Sequence, residues 1–219
     1  MNIFDIIGPI MIGPSSSHTA GAVRIGRVAR KILGEDAAKA DIGLCGSFAM
    51  TYKGHGTDKA LIAGILGMKP DDERIPNSLE LAKKAGLDYS FSHVKLPNSH
   101  PNTAILNLVG KNGETCSVEG VSVGGGNIQI TKLNGMTAAF TGTQSTLIVA
   151  HHDRSGTIAL VTDKLAQFNV NIGSFHLSRP KKNELAIMTI ELDSPIEKAV
   201  VNELQALENI VSVVYMHPH

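Results

Sequence analysis

The sequence predicts an α+β protein built from two domains. Helix-like and strand-like periodicities are mixed through the first part of the chain, whereas the last part alternates compactly between strands and helices. The polar stretch Thr141–Ser145 separates the two patterns and is the best candidate for a linker. With 219 residues, of which 42% are hydrophobic, the chain can bury its apolar surface without a disulfide or a structural metal. We therefore predict a mixed α/β domain over residues 1–144 and a second domain over residues 145–219.

The first domain is predicted to open with an amphipathic helix. Between Ala22 and Leu33 the apolar residues recur at helical spacing, and Gly34 is a typical stop. The opposite face of this helix carries three cations, Arg24, Arg27 and Lys31. The next segment, Asp41–Met50, alternates well enough to be predicted as a strand, with one side formed by Ile42, Leu44 and Phe48.

Two short helices and five strands are predicted to complete this domain. The helices lie at Lys59–Leu66 and Ser78–Ala85, and each is followed by a glycine. The strands are expected at Tyr89–Lys95, Thr103–Val109, Glu114–Val123, Asn127–Leu133 and Met136–Phe140. Residues typical of β-hairpin turns occur at Lys111-Asn112-Gly113 and at Asn134-Gly135.

The second domain has a more regular pattern. Its predicted elements are, in order, a strand at Thr146–His151, a helix at Thr157–Phe168, strands at Asn171–Ser178 and Glu184–Leu192, a helix at Pro195–Leu207 and a strand at Ile210–Met216. This βαββαβ order is the split βαβ arrangement of ferredoxin-like folds.

Composition argues against several classes of function. Lys+Arg and Asp+Glu both number 20 and no block of like charge occurs, so we predict neither a nucleic-acid nor a membrane-surface partner. Asp5 and Pro9 interrupt the opening apolar residues, which is unlike a signal peptide, and no run is long enough to span a bilayer. Cys45 and Cys116 lie outside any CxxC pair, which is typical of thiols in a reducing compartment. A cytoplasmic protein is expected.

A triple serine precedes the first helix. The segment Gly13–Thr19 reads GPSSSHT, and it places hydroxyls and His18 where unpaired backbone N–H groups and the helix dipole favour a small anion. His18 adds an imidazole that titrates near neutral pH. The alternative is structural, with Ser17 or Thr19 capping the helix and His18 filling a turn.

Two further histidine turns strengthen the functional interpretation. Lys53–Asp58 reads KGHGTD and places His55 just before another helix, which Thr57 or Asp58 can cap. Two such helix entrances in one domain suggest two walls of one pocket. Ser99–Asn102 is a polar turn between strands, where Asn102 could bind a ligand. The glycines at 124–126 precede no helix, so no dinucleotide site is predicted, and no metal site is predicted either.

These segments together carry a family resemblance. FDIIGPIMIGPSSSHTAGAVRIGRVAR (Phe4–Arg30) resembles the opening of the beta subunit of bacterial iron–sulfur-dependent L-serine dehydratases, a domain type similar to anion-sensing domains. KGHGTDKALIAGILG (Lys53–Gly67) and SHPNT (Ser99–Thr103) match two further stretches in the same order. The C-terminal unit resembles an ACT domain, and its segment HHDRSGTIALVTDKLAQFNVNIGSF (151–175) is similar to the first strand, ligand loop and helix of that family.

The resemblance implies an activity and a partner. In the family, a 4Fe-4S cluster with one iron free of cysteine acts as a Lewis acid on serine, a base removes the α-proton, and pyruvate and ammonia are formed. Two cysteines in no cluster pattern are too few to hold such a cluster. The resemblance therefore implies that the cluster is bound by a separate alpha subunit, with this chain forming part of the pocket.

Site roles follow from the same motif match. The resemblance implies that His18 and His55 act as acid, base or hydrogen-bonding groups, with Asp58 orienting His55. The substrate L-serine is assigned to hydroxyl and amide side chains, namely Ser15, Ser16, Ser17, Thr19, Thr57 and Asn102. An effector of the ACT domain is assigned to Asp153, Ser155, Gly156, Asn171 and Ile172.

Two other functions remain open from the sequence. The first is a non-catalytic module that senses serine or an anion, because this domain type also resembles the anion-sensing domain of some phosphoglycerate dehydrogenases. The second is a scaffold whose ACT domain drives dimerisation. ACT-like units commonly pair across a symmetric interface, so a homodimer, or a heterotetramer with the alpha subunit, is expected.

Overall fold

The structure is a computed structural model that describes residues 10–218. The segment Phe4–Pro9, which carries part of the family resemblance and the expected break at Asp5, lies outside the described residues. Contacts divide the chain into two compact units, residues 1–134 and 135–219. We predicted the strand Met136–Phe140 in the first domain, but it belongs to the second of these units. The boundary at residues 144 and 145 stays a prediction.

The first helix of the first unit has an irregular beginning. Ser16–Gly21 forms a π-helical turn that runs without a break into α1, Ala22–Leu33. Gly34 ends α1 in the left-handed region, with φ of 79°, and its N–H bonds to Arg30 O. The predicted bounds of this helix are confirmed. The cationic face of this helix is half-buried at Arg24 and Arg27, and Arg24 Nη1 donates to Gly126 O at 2.6 Å.

The predicted strand Asp41–Met50 is wrong in its second half. The strand β1 covers Ala37–Leu44, and a short helix, α2, follows at Gly46–Thr51. Gly46 turns the chain with φ of 49°, and a Cβ there would lie 2.6 Å from Pro101 Cα. The Phe48 N–H donates to Pro101 O at 3.2 Å, so Phe48 is buried in a helix instead of lying on a strand face.

The remaining elements of the first unit follow the predicted order. The helices α3 and α4 cover Thr57–Ile65 and Ser78–Lys84, and the 3₁₀ turn Ile75–Asn77 leads into the latter. The strands are β2 Asp88–His93, β3 Thr103–Gly110, β4 Thr115–Gly124 and β5 Asn127–Leu133. Within this unit the sheet order is β2-β1-β3-β4-β5. Only the β1–β2 pair among these is parallel; the other neighbours are antiparallel.

Two glycines bring α1 and α3 into backbone contact. A Cβ added at Gly26 would lie 2.4 Å from Leu61 O, and one added at Gly64 would lie 2.2 Å from Val23 O. Only glycine allows helix backbones to approach so closely, because every other residue carries a Cβ. This contact fixes the two helices whose N-terminal turns carry His18 and His55.

The second unit has the predicted βαββαβ order after β6, Met136–Phe140. Its elements are β7 Ser145–His152, α5 Thr157–Gln167, β8 Ile172–Ser178, β9 Leu185–Leu192, α6 Lys198–Gln205 and β10 Ile210–Met216. The four strands β7 to β10 form an antiparallel sheet of order β10-β7-β9-β8. Both helices pack on a core that includes Val149, Val161 and Leu204. Within residues 10–218, no helix is long and apolar enough to cross a membrane.

Candidate functional site

The serine turn is organised by its first serine. Ser15 Oγ accepts the N–H of His18 at 3.2 Å, and Ser15 O accepts the N–H of Thr19 at 2.8 Å. The structural alternative, in which Ser17 or Thr19 caps the helix, is not what the structure shows, because the helical turn begins at Ser16 and Ser15 is its cap. Ser16 and Ser17 are half-buried and their hydroxyls make no hydrogen bond within the described residues, so both remain available to a ligand.

The His18 side chain is held on several sides. Its Nε2 lies 3.0 Å from Ser47 Oγ, and its Nδ1 lies 3.4 Å from Ser15 Oγ. The ring packs edge-on against Phe48, with centroids 5.3 Å apart. It also meets the ring of His55 at 4.9 Å between centroids and 71° between planes. The predicted proximity of the two histidine turns is confirmed by this contact.

The environment of His18 favours its neutral form. Partial burial is the larger cause and the neighbouring His55 the smaller, and together they hold the pKa of His18 below its usual value of 6.5. Desolvation acts this way because it disfavours the charged imidazolium.

This shift predicts a dependence of stability on pH. Well above about pH 6.5, His18 is neutral in both the folded and the unfolded chain, so it adds no pH dependence to the free energy of unfolding. As the pH falls, the unfolded chain takes up a proton on His18 before the folded chain does. The free energy of unfolding therefore decreases until the pH reaches the lowered pKa of His18 in the folded chain. We expect the free energy of unfolding of His18→Gln to fall less between about pH 7.5 and about pH 5 than that of the unmodified chain. Urea unfolding across this range measures the difference, and parallel curves would contradict it.

The turn at His55 combines an exposed ring with buried neighbours. His55 is exposed, and Gly56 follows it in the left-handed region with φ of 69°. Thr57 is completely buried and its hydroxyl has no hydrogen-bond partner. The Asp58 carboxylate accepts the N–H of Lys59 at 2.8 Å, and no hydrogen bond joins it to His55. The roles of Thr57 in substrate binding and of Asp58 in orienting His55 stay predictions.

A cavity opens beside these two turns. Its volume is about 230 Å³, and its lining includes Thr19, Lys53, His55 and Lys59. The Thr19 hydroxyl donates to His55 O at 3.5 Å, which ties the serine turn to the histidine turn. The two lysines give the wall a positive charge, which suits a ligand that carries a carboxylate.

The turn that contains Asn102 packs against α2, the helix that carries Ser47. The Asn102 N–H donates to His100 Nδ1 at 3.1 Å, and its side chain amide donates to Ser122 O at 3.5 Å. Pro101 of this turn packs on Gly46 at the start of α2, which carries Ser47. The Ser122 hydroxyl is buried without a partner, and a Cβ at Gly21 would lie 2.2 Å from it. The structure thus brings the turn to α2, and no hydrogen bond joins Asn102 to His18 or His55.

Sequence reasoning missed Ser47 and Phe48. Both lie in the six-residue helix α2 that we predicted as the end of a strand. The pair Gly46-Ser47 directly after a strand was the available signal, because glycine commonly ends a strand and serine commonly starts a helix.

The described residues do not fit an iron–sulfur cluster. Cys45 and Cys116 are both buried and unpaired, and burial raises the pKa of the Cys116 thiol to about 12. A cluster ligand is a thiolate, so a thiol held neutral in this way is a poor one. Between residues 10 and 218, no group of three His, Cys, Asp or Glu side chains is placed to hold a metal ion.

The second unit has a cavity at its predicted ligand loop. It measures about 370 Å³, and its lining includes Asp153, Ser155 and Gly156. Asp153 accepts the Asn183 N–H at 3.0 Å and Arg179 Nη1 at 2.7 Å; these two bonds, in that order, lower the pKa of its carboxyl. The other two predicted effector residues, Asn171 and Ile172, do not line this cavity; they lie where β8 begins. The effector assignment stays a prediction.

Comparison with known proteins was made with this geometry in hand. Residues 2–86 match the family model described as serine dehydratase beta chain, and residues 145–209 match the ACT domain model. The chain is 46% identical to the "Probable L-serine dehydratase, beta chain" of Bacillus subtilis over 212 residues, which are 97% of this chain and 96% of that relative. The chain belongs to the serine dehydratase beta chain family. The predicted family is therefore confirmed, and so is the predicted combination of a mixed α/β unit with an ACT domain.

Two other relatives describe the reach of the family. The "L-serine dehydratase, beta chain" of Peptoniphilus asaccharolyticus is 41% identical over 97% of this chain and 96% of its own length. The D-3-phosphoglycerate dehydrogenase of Bacillus subtilis is 27% identical over 71% of this chain but only 30% of its own length. Related sequence thus occurs both in beta chains of similar length and within a longer protein whose name describes another activity.

Proposed function

We propose that this chain is the beta subunit of an L-serine dehydratase, which converts L-serine into pyruvate and ammonia together with an alpha subunit. The structural observation that most supports this proposal is the contact between the His18 and His55 rings beside the serine turn. The full-length similarity to dehydratase beta chains supports the same reaction. The word beta in those names supports a second subunit.

The residues of this chain suit three parts of that reaction. The unpartnered hydroxyls of Ser16 and Ser17, next to the N–H groups of a helical turn, suit the substrate carboxylate. Lys53 and Lys59 add positive charge in the adjacent cavity, whose lining includes Thr19 of the serine turn but not Ser16 or Ser17. The two imidazoles suit the proton transfers, since removal of the α-proton needs a base and the departing β-hydroxyl needs a proton.

The iron–sulfur cluster implied by the resemblance belongs, on this proposal, to the alpha subunit. The two buried cysteines of this chain do not fit cluster ligation. We derive no step through the cluster from the residues of this chain. We also propose a cytoplasmic assembly, either a homodimer of this chain or a heterotetramer with alpha, and the ACT domain supports the pairing of this chain.

The proposal predicts that activity appears only in a mixture. We expect no pyruvate from L-serine with this chain alone, little with the cluster-bearing chain alone, and rapid formation with both under anoxic conditions. Lactate dehydrogenase coupling measures pyruvate continuously. Equal rates from the cluster-bearing chain with and without this chain would contradict a catalytic beta subunit.

A regulatory module is the second candidate, and the similarity to a phosphoglycerate dehydrogenase favours it. On that alternative the serine turn binds serine or an anion and the chain modulates a partner. The same assay separates the two, because a sensor binds serine by calorimetry but adds no turnover to any mixture.

A further inference from the structure

The four-stranded sheet of the second unit ends in two edge strands, β8 and β10. An edge strand has unpaired backbone N–H and C=O groups that can pair with another chain, and proteins commonly protect such edges with charged side chains or proline. Neither β8 nor β10 contains Lys, Arg, Asp, Glu or Pro. β10 reads IVSVVYM, and Val211 in it is 46% exposed, so this edge is open to solvent.

The free edge of β10 is nevertheless hydrogen-bonded, by the side chain of Gln205. This residue is the last of α6. Its Nε2 donates to Val211 O at 3.2 Å, and its Oε1 accepts the N–H of Val213 at 2.8 Å. These partners fix the orientation of the amide, because a carbonyl only accepts and a backbone N–H only donates. We call these two bonds the edge cap.

The edge cap takes the groups that an added strand would need. β7 is the only neighbour of β10 in the sheet, so backbone groups of β10 that bond outside this ladder belong to its free edge. Backbone groups that point to one side of a strand come from alternate residues. Val211 O and the Val213 N–H are therefore consecutive positions along the edge, and one amide occupies both.

The register of β10 is also irregular at the edge cap. Ile210 and Ser212 are opposite neighbouring residues of β7, so Val211 between them is an extra residue, as in a β-bulge. A bulge bends the strand locally and opposes regular pairing at an edge. Two features that oppose strand addition therefore coincide at one residue of an uncharged strand.

The edge at β8 has no comparable cap. Within residues 10–218, no side chain is hydrogen-bonded to the backbone of β8; the bonds of its own side chains run to neighbouring side chains instead. Phe175 and Leu177 of this strand are 38% and 37% exposed. The two edges of the sheet therefore differ in their capacity to accept a further strand.

We propose that Gln205 closes the β10 edge, so that a second copy of this chain can extend the sheet only at β8. Pairing through one edge joins two copies and stops, whereas two open edges on every copy would allow copies to add without end. Gln205 thus limits the assembly to a closed one. The dimer rests on the proposed function, whereas the closure of β10 rests on the contacts of this chain alone.

Hydrogen exchange of the full chain tests the edge cap directly. In ¹⁵N-labelled Gln205→Ala, at a dilution at which no larger species forms, we expect the Val213 amide to exchange about 5-fold to 10-fold faster, because one hydrogen bond is lost. Gln167→Ala is the matched control, since Gln167 is exposed, ends α5 as Gln205 ends α6, and makes no side-chain hydrogen bond within the described residues. An unchanged rate for Val213 in Gln205→Ala would overturn the cap.

Sedimentation velocity of the full chain tests the closure. We expect the unmodified chain and Gln167→Ala to form nothing larger than a dimer as the concentration rises, and Gln205→Ala to form larger species whose share grows with concentration. Adding Val211→Lys to Gln205→Ala should remove those species, because a lysine on an exposed edge opposes strand pairing without restoring the cap. This rescue separates pairing at β10 from unfolding, which an added lysine does not reverse.

Three results of the sedimentation experiment would overturn the closure. They are species larger than a dimer in the unmodified chain, no larger species in Gln205→Ala, and larger species that persist after Val211→Lys is added. A monomeric unmodified chain would contradict the proposed homodimer instead. In that case the exchange rate of Val213 and the growth of Gln205→Ala still decide the role of Gln205.

Discussion

His55→Ala is expected to lose about 10²-fold to 10⁴-fold in kcat in the assembled enzyme, the range that a positioned acid or base contributes. The reason is that His55 lines the cavity and its ring nitrogens make no hydrogen bond within the described residues, whereas both ring nitrogens of His18 lie against serine hydroxyls. Because His55 is exposed, its removal should change the free energy of unfolding by no more than about 0.5 kcal/mol. Pyruvate formation at saturating L-serine measures the loss.

The controls for this variant separate chemistry from assembly. Size-exclusion chromatography should show unchanged association with the alpha subunit, since the substitution is meant to remove only the imidazole. His152→Ala serves as the matched variant, because His152 is an exposed histidine of the second unit, at the end of β7. Near-normal turnover of His55→Ala would remove His55 from the catalytic residues. If His55→Ala instead loses its association with the alpha subunit, His55→Gln takes its place in the assay.

Much of the architecture could be predicted because its signals are local. The bounds of α1, β5, β6 and β10 agree with the predicted ones, since apolar periodicity and the flanking glycines or turns are read directly from the sequence. The second unit was predicted in the correct order for the same reason. Its helices are long enough to show a period, and its strands are short and separated by clear turns.

The errors arose where contacts distant in sequence decide the local structure. Phe48 falls in the same alternation as Ile42 and Leu44, and this pattern outweighed the local stop signal of Gly46-Ser47 in the prediction. The chain turns because Gly46 is packed against Pro101, more than fifty residues later. A helix of six residues is too short to show its own period. Ser47, on that helix, was missed for this reason.

The candidate site was predicted in part. His18 and His55 were singled out because each precedes a helix, and the structure brings their rings together. The sequence could not show that Thr57 is completely buried or that Asp58 bonds to the neighbouring Lys59 N–H. Those facts depend on how α3 sits against the serine turn and α1, which is a matter of packing between helices.

That packing leads to the largest expected effect on stability, in the variant Gly64→Ala. Its Cβ would lie 2.2 Å from Val23 O and 2.9 Å from Arg27 N, which are backbone atoms that cannot rotate away. The helices α1 and α3 must separate to accommodate it. Overpacking typically costs about 1–3 kcal/mol, and we expect the upper end here, even after the gain of about 1 kcal/mol from the better helix propensity of alanine.

The same variant should also damage the site. The serine turn leads into α1 and His55 precedes α3, so a separation of these helices moves the two histidines apart. Misplacement by about 1 Å can cost about 10²-fold in rate, so kcat should fall at temperatures where the variant is still folded. Urea unfolding measures the stability, with Gly54→Ala as control, because a Cβ there has Thr51 O at an ordinary 3.6 Å as its nearest contact. An unchanged urea midpoint for Gly64→Ala would show that the helices are not held by the backbone contact at this glycine.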